Sequence, residues 1–339
     1  MSINQHSSAL ALRRLIVGYR LSQSIYVAAK LGIADLLKDG PKSVDDLAEA
    51  TGAQAASLYR VLRLLASEGV FAELAQNHFE LTPLAVGLQI DAANSFRARA
   101  IFDAEECNWG AWGNLLHSVT TGESAFEYTF EEGEIFDYLK QNPAAASSFD
   151  NLMVEQTTSW SPAIVDAYDF SGVRKVADIG GGYGALLATI LAAHPAMQGI
   201  LFDLPHVIAG SSPTLEAAGV MERCQVVSGD FFETAPKSGE IYILKHILHD
   251  WDEDRCWMIL RNCRQVMPAH GRLLIIEILI SSANETDYGK FLDVNMLVLL
   301  RGRERTEAEY RAQLAATGFA LSRVISTQSE LSILECLPI

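Results

Sequence analysis

Short apolar runs alternate with segments of helical periodicity over the second half of the chain. The apolar runs predict strands at 174–179, 198–203, 224–228, 240–246 and 271–280, and a further pair at 319–326 and 331–337. The intervening segments, such as 253–267 before Pro268, predict helices. This alternation predicts an α/β fold with a parallel sheet that helices cover on both faces, and ligands bind such a sheet at the carboxyl ends of its strands.

The first part of the chain has a different pattern. Residues 8–37 carry apolar positions at helical spacing. Ser43 then caps a helix that ends at Gly52, and a second helix stops at Gly69. Two strand-like runs, 70–73 and 78–81, follow and are joined by a polar turn. Helix, turn, helix and hairpin together predict a winged-helix domain.

Residues 95–165 are predicted to be mostly helical and are rich in aromatic residues. We therefore expect three parts: a helical winged-helix dimerisation domain over 1–100, a helical connector or substrate lid over 101–165, and a cofactor-binding catalytic domain over 166–339.

The charge distribution bears on what the winged helix could bind. The chain has 26 Lys and Arg against 42 Asp and Glu, and nearly all of the acidic excess lies after residue 100. The second helix of the winged helix offers only Arg60 and Arg63, offset by Glu68. A DNA-binding face is usually basic, so we expect dimerisation through the N-terminal helices and no nucleic-acid partner.

Composition narrows the class of protein further. The chain is 49% hydrophobic and 20% charged, which is typical of a soluble globular protein. No apolar run approaches the roughly 18 residues of a membrane span, and no signal peptide is evident at the start. Five cysteines without a CxxC pair argue against a disulfide framework or structural zinc. We expect a cytoplasmic protein without a membrane partner.

A glycine-rich turn at 180–184 follows the first predicted strand of the sheet, which carries Asp178. Glycine permits a sharp turn and lets a ligand approach the backbone, and the following helix N-terminus favours electronegative groups. Gly180, Gly182 and Ala185 satisfy a dinucleotide fingerprint, with Asp203 at a suitable distance for a ribose. S-adenosylmethionine is the alternative cofactor, because an acid before the glycines and an acid ending the next strand also suit it.

Residues on the third and fourth strands distinguish these cofactors. Asp230 ends the third strand, where it could bind an adenine amino group while Phe231 stacks on the ring. The fourth strand ends in Lys245, His246, His249, Asp250 and Trp251, where an open parallel sheet carries its chemistry. The next strand contains a single charge, Glu277. A buried carboxylate needs a partner, which a histidine on the neighbouring strand would supply.

Taken together, these motifs resemble the S-adenosylmethionine-dependent small-molecule O-methyltransferases of the plant caffeate and bacterial natural-product type. The resemblance runs nearly end to end and also includes the Trp109–Gly113 region, Phe126, and the segment from Arg303 to Thr306. It implies a Rossmann-like, mostly parallel seven-stranded sheet with helices on both faces, plus a mainly helical winged-helix dimerisation domain. It also implies a homodimer, an aromatic acceptor and no metal.

The resemblance assigns roles to individual residues. The general base would be His249, flanked by Glu277 and Glu304. The expected cofactor contacts are Asp178, Gly180, Gly182, Asp203, Leu204, Gly229, Asp230, Phe231, Lys245 and Thr157. The expected acceptor contacts are Met153, Trp109, Phe126, Asp250, Asn295 and Met296.

One segment departs from the family pattern. Thr306 and Glu309 form a capping box, and charges just before a helix cap are usually solvated, so the role of Glu304 rests on the resemblance alone. The preceding residues 299–302 lack the double glycine often found there. The alternatives are a nicotinamide dehydrogenase, a DNA-binding regulator with a degenerate enzyme domain, and a relative that performs hydroxylation or decarboxylation.

Overall fold

The computed structural model describes residues 5–92, 94–131, 133–281 and 284–339. The chain divides into two compact units, one comprising Met1–Trp109 with Asn142–Glu155 and the other Gly110–Gln141 with Gln156–Ile339. The three-part division at residues 100 and 165 stays a prediction.

The N-terminal unit contains the predicted winged helix. Ser43 Oγ accepts from Asp46 N at 3.1 Å at the start of one helix, and Gly52 ends that helix with φ +70°. The polar hairpin turn places Gln76 and Asn77 in the left-handed region. The helices are α1 (Gln5–Ile16), α2 (Gly18–Lys30), α3 (Ile33–Leu36), α4 (Val44–Thr51), α5 (Ala55–Ser67), α6 (Pro83–Val86) and α7 (Arg97–Phe102). The strands are β1 (Lys42–Ser43), β2 (Phe71–Leu74) and β3 (His78–Leu81), in the order β1-β3-β2.

The middle of the chain is helical, as the sequence predicts. Its longest helix has 25 residues and includes Pro162. Two of the three boundaries between the units fall inside the first and last helices of this region, and the third falls between its last two helices. The helices are α8 (Glu106–Trp112), α9 (Leu115–Thr121), α10 (Ala125–Thr129), α11 (Ile135–Gln141) and α12 (Pro143–Ala167).

The C-terminal unit contains the predicted seven-stranded sheet, in the order β6-β5-β4-β7-β8-β10-β9. The first five strands in this order are parallel, whereas β10 pairs antiparallel with both β8 and β9. The strands are β4 (Lys175–Ile179), β5 (Gln198–Asp203), β6 (Cys224–Ser228), β7 (Ile241–Lys245), β8 (Arg272–Ile278), β9 (Phe319–Ser326) and β10 (Leu331–Pro338). The helices are α13 (Ala185–Ala193), α14 (Pro205–Ile208), α15 (Ser212–Ala217), α16 (Glu253–Val266), α17 (Tyr288–Leu299) and α18 (Glu307–Ala316).

Two apolar clusters stabilise this unit because successive residues of each buried strand project to opposite faces. Val176 of β4 belongs to one cluster and Ala177 to the other, and Ile243 and Leu244 of β7 alternate in the same way. The strand order reverses between β4 and β7, so their carboxyl ends lie side by side where such sheets bind ligands. None of the helices in the described ranges combines the length and apolar content needed to span a membrane.

Candidate active site

The glycine turn joins β4 to α13 and lies directly over a buried acid. Gly180, Gly182 and Gly184 all have positive φ. A Cβ at Gly180 would lie 2.5 Å from Ile247 Cδ1, and one at Gly181 would lie 2.8 Å from the Asp178 carboxylate. Burial raises the pKa of Asp178 to about 7, while the charge of Lys245 opposes that shift. The turn therefore needs glycine to accommodate both the backbone geometry and the side chains beneath it.

The carboxyl end of β5 is tied to the glycine turn through Asp203. One oxygen of this carboxylate accepts from Gly182 N at 2.8 Å, and the other accepts from Leu204 N at 2.7 Å. Burial raises the pKa of Asp203, and the hydrogen bonds from these two backbone N–H groups oppose that shift. The orientation of the Asp203 carboxylate is thus fixed beside the turn.

The end of β6 lies next to that of β5. Gly229 N donates to Asp203 O at 3.0 Å, and Asp230 Oδ1 accepts from Phe232 N at 2.8 Å. The backbone oxygen of Phe231 accepts from Asn262 Nδ2 at 2.9 Å. The residues expected to bind the cofactor on β4, β5 and β6 therefore lie at three neighbouring strand ends.

Lys245 ends β7 and faces α12. Its Nζ donates to Thr157 Oγ1 at 3.1 Å and lies 5.9 Å from the centre of the Trp160 ring. Burial lowers the pKa of Lys245, and the nearby charges of Asp178 and Glu277 oppose the shift. The structure thus brings together Lys245 and Thr157, the two residues that only the family resemblance suggested as cofactor contacts.

His249 lies just beyond β7 and is surrounded by acids. Its Nδ1 is 2.6 Å from Glu304 Oε1 and 3.8 Å from Glu277 Oε2, and its Nε2 is 3.3 Å from Asp250 Oδ1. Burial lowers the pKa of His249, but the charges of Glu277, Asp250 and Glu304 outweigh it and raise the pKa to about 10. The three predicted catalytic residues therefore form one buried group in which the carboxylates stabilise an imidazolium.

Glu277 holds the backbone around His249. Its Oε1 accepts from Ile247 N at 3.2 Å and from Leu248 N at 3.0 Å. The side chain is fully buried, which raises its pKa. The lone charge on β8 thus has the backbone and histidine partners that a buried carboxylate needs.

The loop before α18 also contacts the turn that carries His249. Glu304 is buried, and its backbone N donates to Asp293 Oδ1 at 3.0 Å. The guanidinium of Arg305 is also buried and donates to the carbonyl oxygens of Leu248 at 3.0 Å and Trp251 at 3.4 Å, on either side of His249. Sequence reasoning missed this role for Arg305, although the residue lies within the segment that carried the resemblance.

The segment 299–302 contains one glycine, Gly302, and this is the position where the backbone of His249 comes close. A Cβ on Gly302 would lie 2.7 Å from the carbonyl carbon of His249, and closer still to the oxygen of that carbonyl. At the preceding position, Arg301 is exposed and pairs with Glu127, with Nε and Oε1 at 2.9 Å. The close approach to the His249 backbone therefore falls on Gly302, a requirement that sequence reasoning also missed.

The predicted acceptor contacts occupy different parts of the chain. Asn295 accepts from Trp112 Nε1 at 2.9 Å, and Met296 is buried on the same helix. Phe126 is fully buried against Phe130 and Tyr138. Asp250 adjoins His249, whereas Trp109 and Met153 belong to the other compact unit.

A nitrogen of His246, a nitrogen of His249 and an oxygen of Glu277 lie within 4.8 Å of one another, a spacing that could hold a metal ion. The expectation that no metal is used stays a prediction.

Comparison with known proteins agrees with this geometry. Residues 112–320 match the O-methyltransferase domain, and residues 13–88 match the O-methyltransferase dimerisation domain. The chain is 48% identical to the phenazine O-methyltransferase PhzM of Lysobacter antibioticus, with 100% of both chains covered. It is 32% identical to the phenazine-1-carboxylate N-methyltransferase of Pseudomonas aeruginosa, with 97% of both chains covered.

A solved structure of similar fold contains the product of the methyl donor. CalO1, a methyltransferase in calicheamicin biosynthesis, was solved with S-adenosylhomocysteine bound and is 35% identical, with a TM-score of 0.88 over 100% of both chains. The fold and the site define an S-adenosylmethionine-dependent methyltransferase. The chain belongs to the O-methyltransferase family.

Proposed function

We propose that this enzyme moves the methyl group of S-adenosylmethionine to a phenolic or enolic hydroxyl of an aromatic small molecule, with His249 as the general base. The observation that carries the proposal is the buried group at the end of β7, where His249 lies 2.6 Å from Glu304 and 3.8 Å from Glu277. This group lies beside the strand that carries the glycine turn.

The cofactor would lie over the glycine turn. We assign its methionine end to Gly180 and Gly182 above Asp178, its ribose to Asp203, and its adenine to Asp230 and Phe231. The turn fits this role because Gly182 has φ +58° and, among the described residues, no atom lies within 4 Å of where a Cβ would be. Further contacts would come from Leu204, Gly229, Lys245 and Thr157.

S-adenosylmethionine, when bound, supplies a methyl group that is already strongly electrophilic. The protein must therefore align the acceptor and ionise it. A phenol with a pKa of about 10 is mostly protonated at neutral pH. His249 Nε2 would take that proton as the acceptor oxygen gains the methyl group, and Glu304 and Glu277 would orient the ring and stabilise its cation.

His249 accepts a proton only in its neutral form. The surrounding carboxylates raise its pKa to about 10, so they favour the imidazolium at neutral pH. A bound cation lowers the pKa of a neighbouring imidazole. We therefore expect cofactor binding and deprotonation of His249 to be linked, with a turnover rate that rises with pH as the imidazole loses its proton.

The acceptor would be a flat and largely apolar molecule. This description of the acceptor rests on the aromatic and methionine side chains proposed to contact it, and on the phenazines in the names of two relatives. Its contacts would be Met153, Trp109, Phe126, Asp250, Asn295 and Met296. One of those relatives is named as an N-methyltransferase, so N-methylation is a second candidate. A panel of hydroxyl- and amino-substituted phenazines and naphthoates, with the products located by mass spectrometry and NMR, separates the two.

We also propose a homodimer formed through the N-terminal helices. The match to the dimerisation domain supports it, as do the exposed side chains of Leu12, Leu15 and Ile16 on α1. Light scattering after gel filtration should give twice the chain mass, and a monomer at micromolar concentration would contradict the proposal.

Replacing His249 by alanine tests the proposed chemistry. We expect turnover to fall about 100-fold to 10,000-fold, the range for positioned proton transfer, while calorimetry shows unchanged affinity for S-adenosylhomocysteine. His270→Ala, at an exposed histidine, is the matched control. Normal turnover by His249→Ala would remove His249 from the base role. Thermal-shift assays with S-adenosylhomocysteine and with NAD test the cofactor independently.

A further inference from the structure

Asn262 has no role in the function proposed above, yet its side chain reaches the turn after β6, where we assign the adenine. Its Nδ2 donates to the backbone oxygens of Phe231 at 2.9 Å and Phe232 at 2.8 Å. A carboxamide carries both of its donors on this nitrogen, so one side chain can satisfy two successive carbonyl groups. Because both partners are acceptors, an ionised carboxylate could not take the place of this amide.

The sheet supports the segment that Asn262 contacts from one side. β6 is an edge strand with β5 as its neighbour, and it ends at Ser228. Asn262 belongs to α16, whose residues Ile259 and Cys263 are fully buried in the core of the C-terminal unit. A side chain on a packed helix is a more precise support than one on a loop. Asn262 therefore ties the turn after β6 to a rigid element.

The same turn carries the two residues that we assign to the adenine. Asp230 Oδ1 accepts from Phe232 N at 2.8 Å, so the position of Phe232 sets the orientation of the carboxylate. The other oxygen, Oδ2, is the one that we assign to the adenine amino group. The Phe231 ring lies against the glycine turn, with its Cε1 3.3 Å from where a Cβ on Gly180 would be. A shift of the backbone at 231–232 would therefore move both adenine contacts.

We propose that Asn262 is a positioning residue for cofactor recognition, which holds Phe231 and Phe232 so that Asp230 meets the adenine amino group. The inference rests on the proposed function, in which Asp230 binds the adenine. Asn262 acts through these neighbours and takes no part in methyl transfer. Its contribution should therefore appear in the binding of the cofactor's base and not in the rate of the chemical step.

Calorimetry with two ligands separates this role from a general structural one. The ligands are S-adenosylhomocysteine and its purine analogue, in which hydrogen replaces the 6-amino group. The wild-type protein should prefer S-adenosylhomocysteine about 10-fold to 100-fold, the value of a hydrogen bond to a charged group. Asn262→Ala truncates the side chain, and Asn262→Asp keeps its volume but removes its N–H donors. Each variant should bind S-adenosylhomocysteine about 10-fold more weakly, with a smaller loss for the analogue.

Kinetics give a second readout. The KM for S-adenosylmethionine should rise in both variants, while kcat at saturating cofactor stays at the wild-type level. Gln265→Ala shortens an exposed carboxamide on the same helix and is the matched control, which should retain the wild-type affinity for both ligands.

The inference and the function on which it rests fail in different ways. Normal affinity for S-adenosylhomocysteine in either variant of Asn262 would overturn the positioning role. An equal loss for the two ligands would also overturn it, because a general disturbance of the fold does not distinguish the two bases. If the wild-type protein itself binds the two ligands equally, the assignment of the adenine to Asp230 is wrong, and the positioning role falls with it.

Discussion

Replacing Gly302 by alanine tests whether one backbone contact positions the proposed base. The added Cβ would lie 2.7 Å from the His249 carbonyl carbon, whereas non-bonded carbons prefer about 3.5–4.0 Å. The His249 carbonyl oxygen and the Asp250 carbonyl carbon would lie closer still, so the two backbones must separate by more than about 1 Å. Such a shift at a catalytic group can lower the rate about 100-fold, which corresponds to about 2.7 kcal/mol in the barrier. Gly302 does not have positive φ, so the substitution tests the contact without adding backbone strain.

The assay compares turnover with cofactor affinity in the same preparation. We expect kcat of Gly302→Ala to fall about 100-fold while calorimetry gives normal affinity for S-adenosylhomocysteine, because the atoms nearest the added Cβ belong to His249 and Asp250 and not to the glycine turn. Gly18→Ala is the matched control, since a Cβ there meets no atom of the described part of the chain within 4 Å and its φ is not positive. Normal kcat in a folded Gly302→Ala protein would refute the reasoning that this contact positions His249.

Two further predictions concern the cofactor acid and the acid at the base. Asp203→Ala should weaken S-adenosylhomocysteine binding about 10-fold to 100-fold, the value of hydrogen bonds to a charged group, and unchanged affinity in calorimetry would contradict the ribose assignment. Glu304→Gln removes a charge that raises the pKa of His249, so the acid limb of the pH profile of kcat/KM should move to lower pH. If the acid limb of the profile does not move, the charge of Glu304 does not raise the pKa of His249.

Most of the sheet could be predicted because its central strands, β4, β5, β7 and β8, are buried along nearly their whole length, while the edge strands β6 and β9 are bounded by clear breaks in the apolar pattern. The runs at 198–203, 224–228 and 319–326 match β5, β6 and β9 residue for residue. Helix capping could also be predicted, and both hydrogen bonds of the predicted capping box at Thr306 and Glu309 are present. Such features depend on residues close together in the sequence, so periodicity and spacing suffice to find them.

The surroundings of the proposed base depend instead on tertiary contacts. A charge before a helix cap is usually solvated, yet Glu304 is buried because the chain folds it onto a strand end 55 residues earlier. The contact of Gly302 with the His249 backbone and the clamp formed by Arg305 arise from the same long-range approach. No local pattern marks them, and only the family resemblance directed attention to Glu304.

The candidate residues on the strands and Asn295 on α17 differ in how freely they can change. Asp178 and Glu277 lie on the buried strands β4 and β8, on either side of β7, where a substitution disturbs the core. Asn295 lies on a helix outside the sheet, and its contact with Trp112 is confined to side chains. Selection for a new acceptor could therefore alter this helix while leaving the methyl-transfer machinery intact, which would let one scaffold serve many biosynthetic routes.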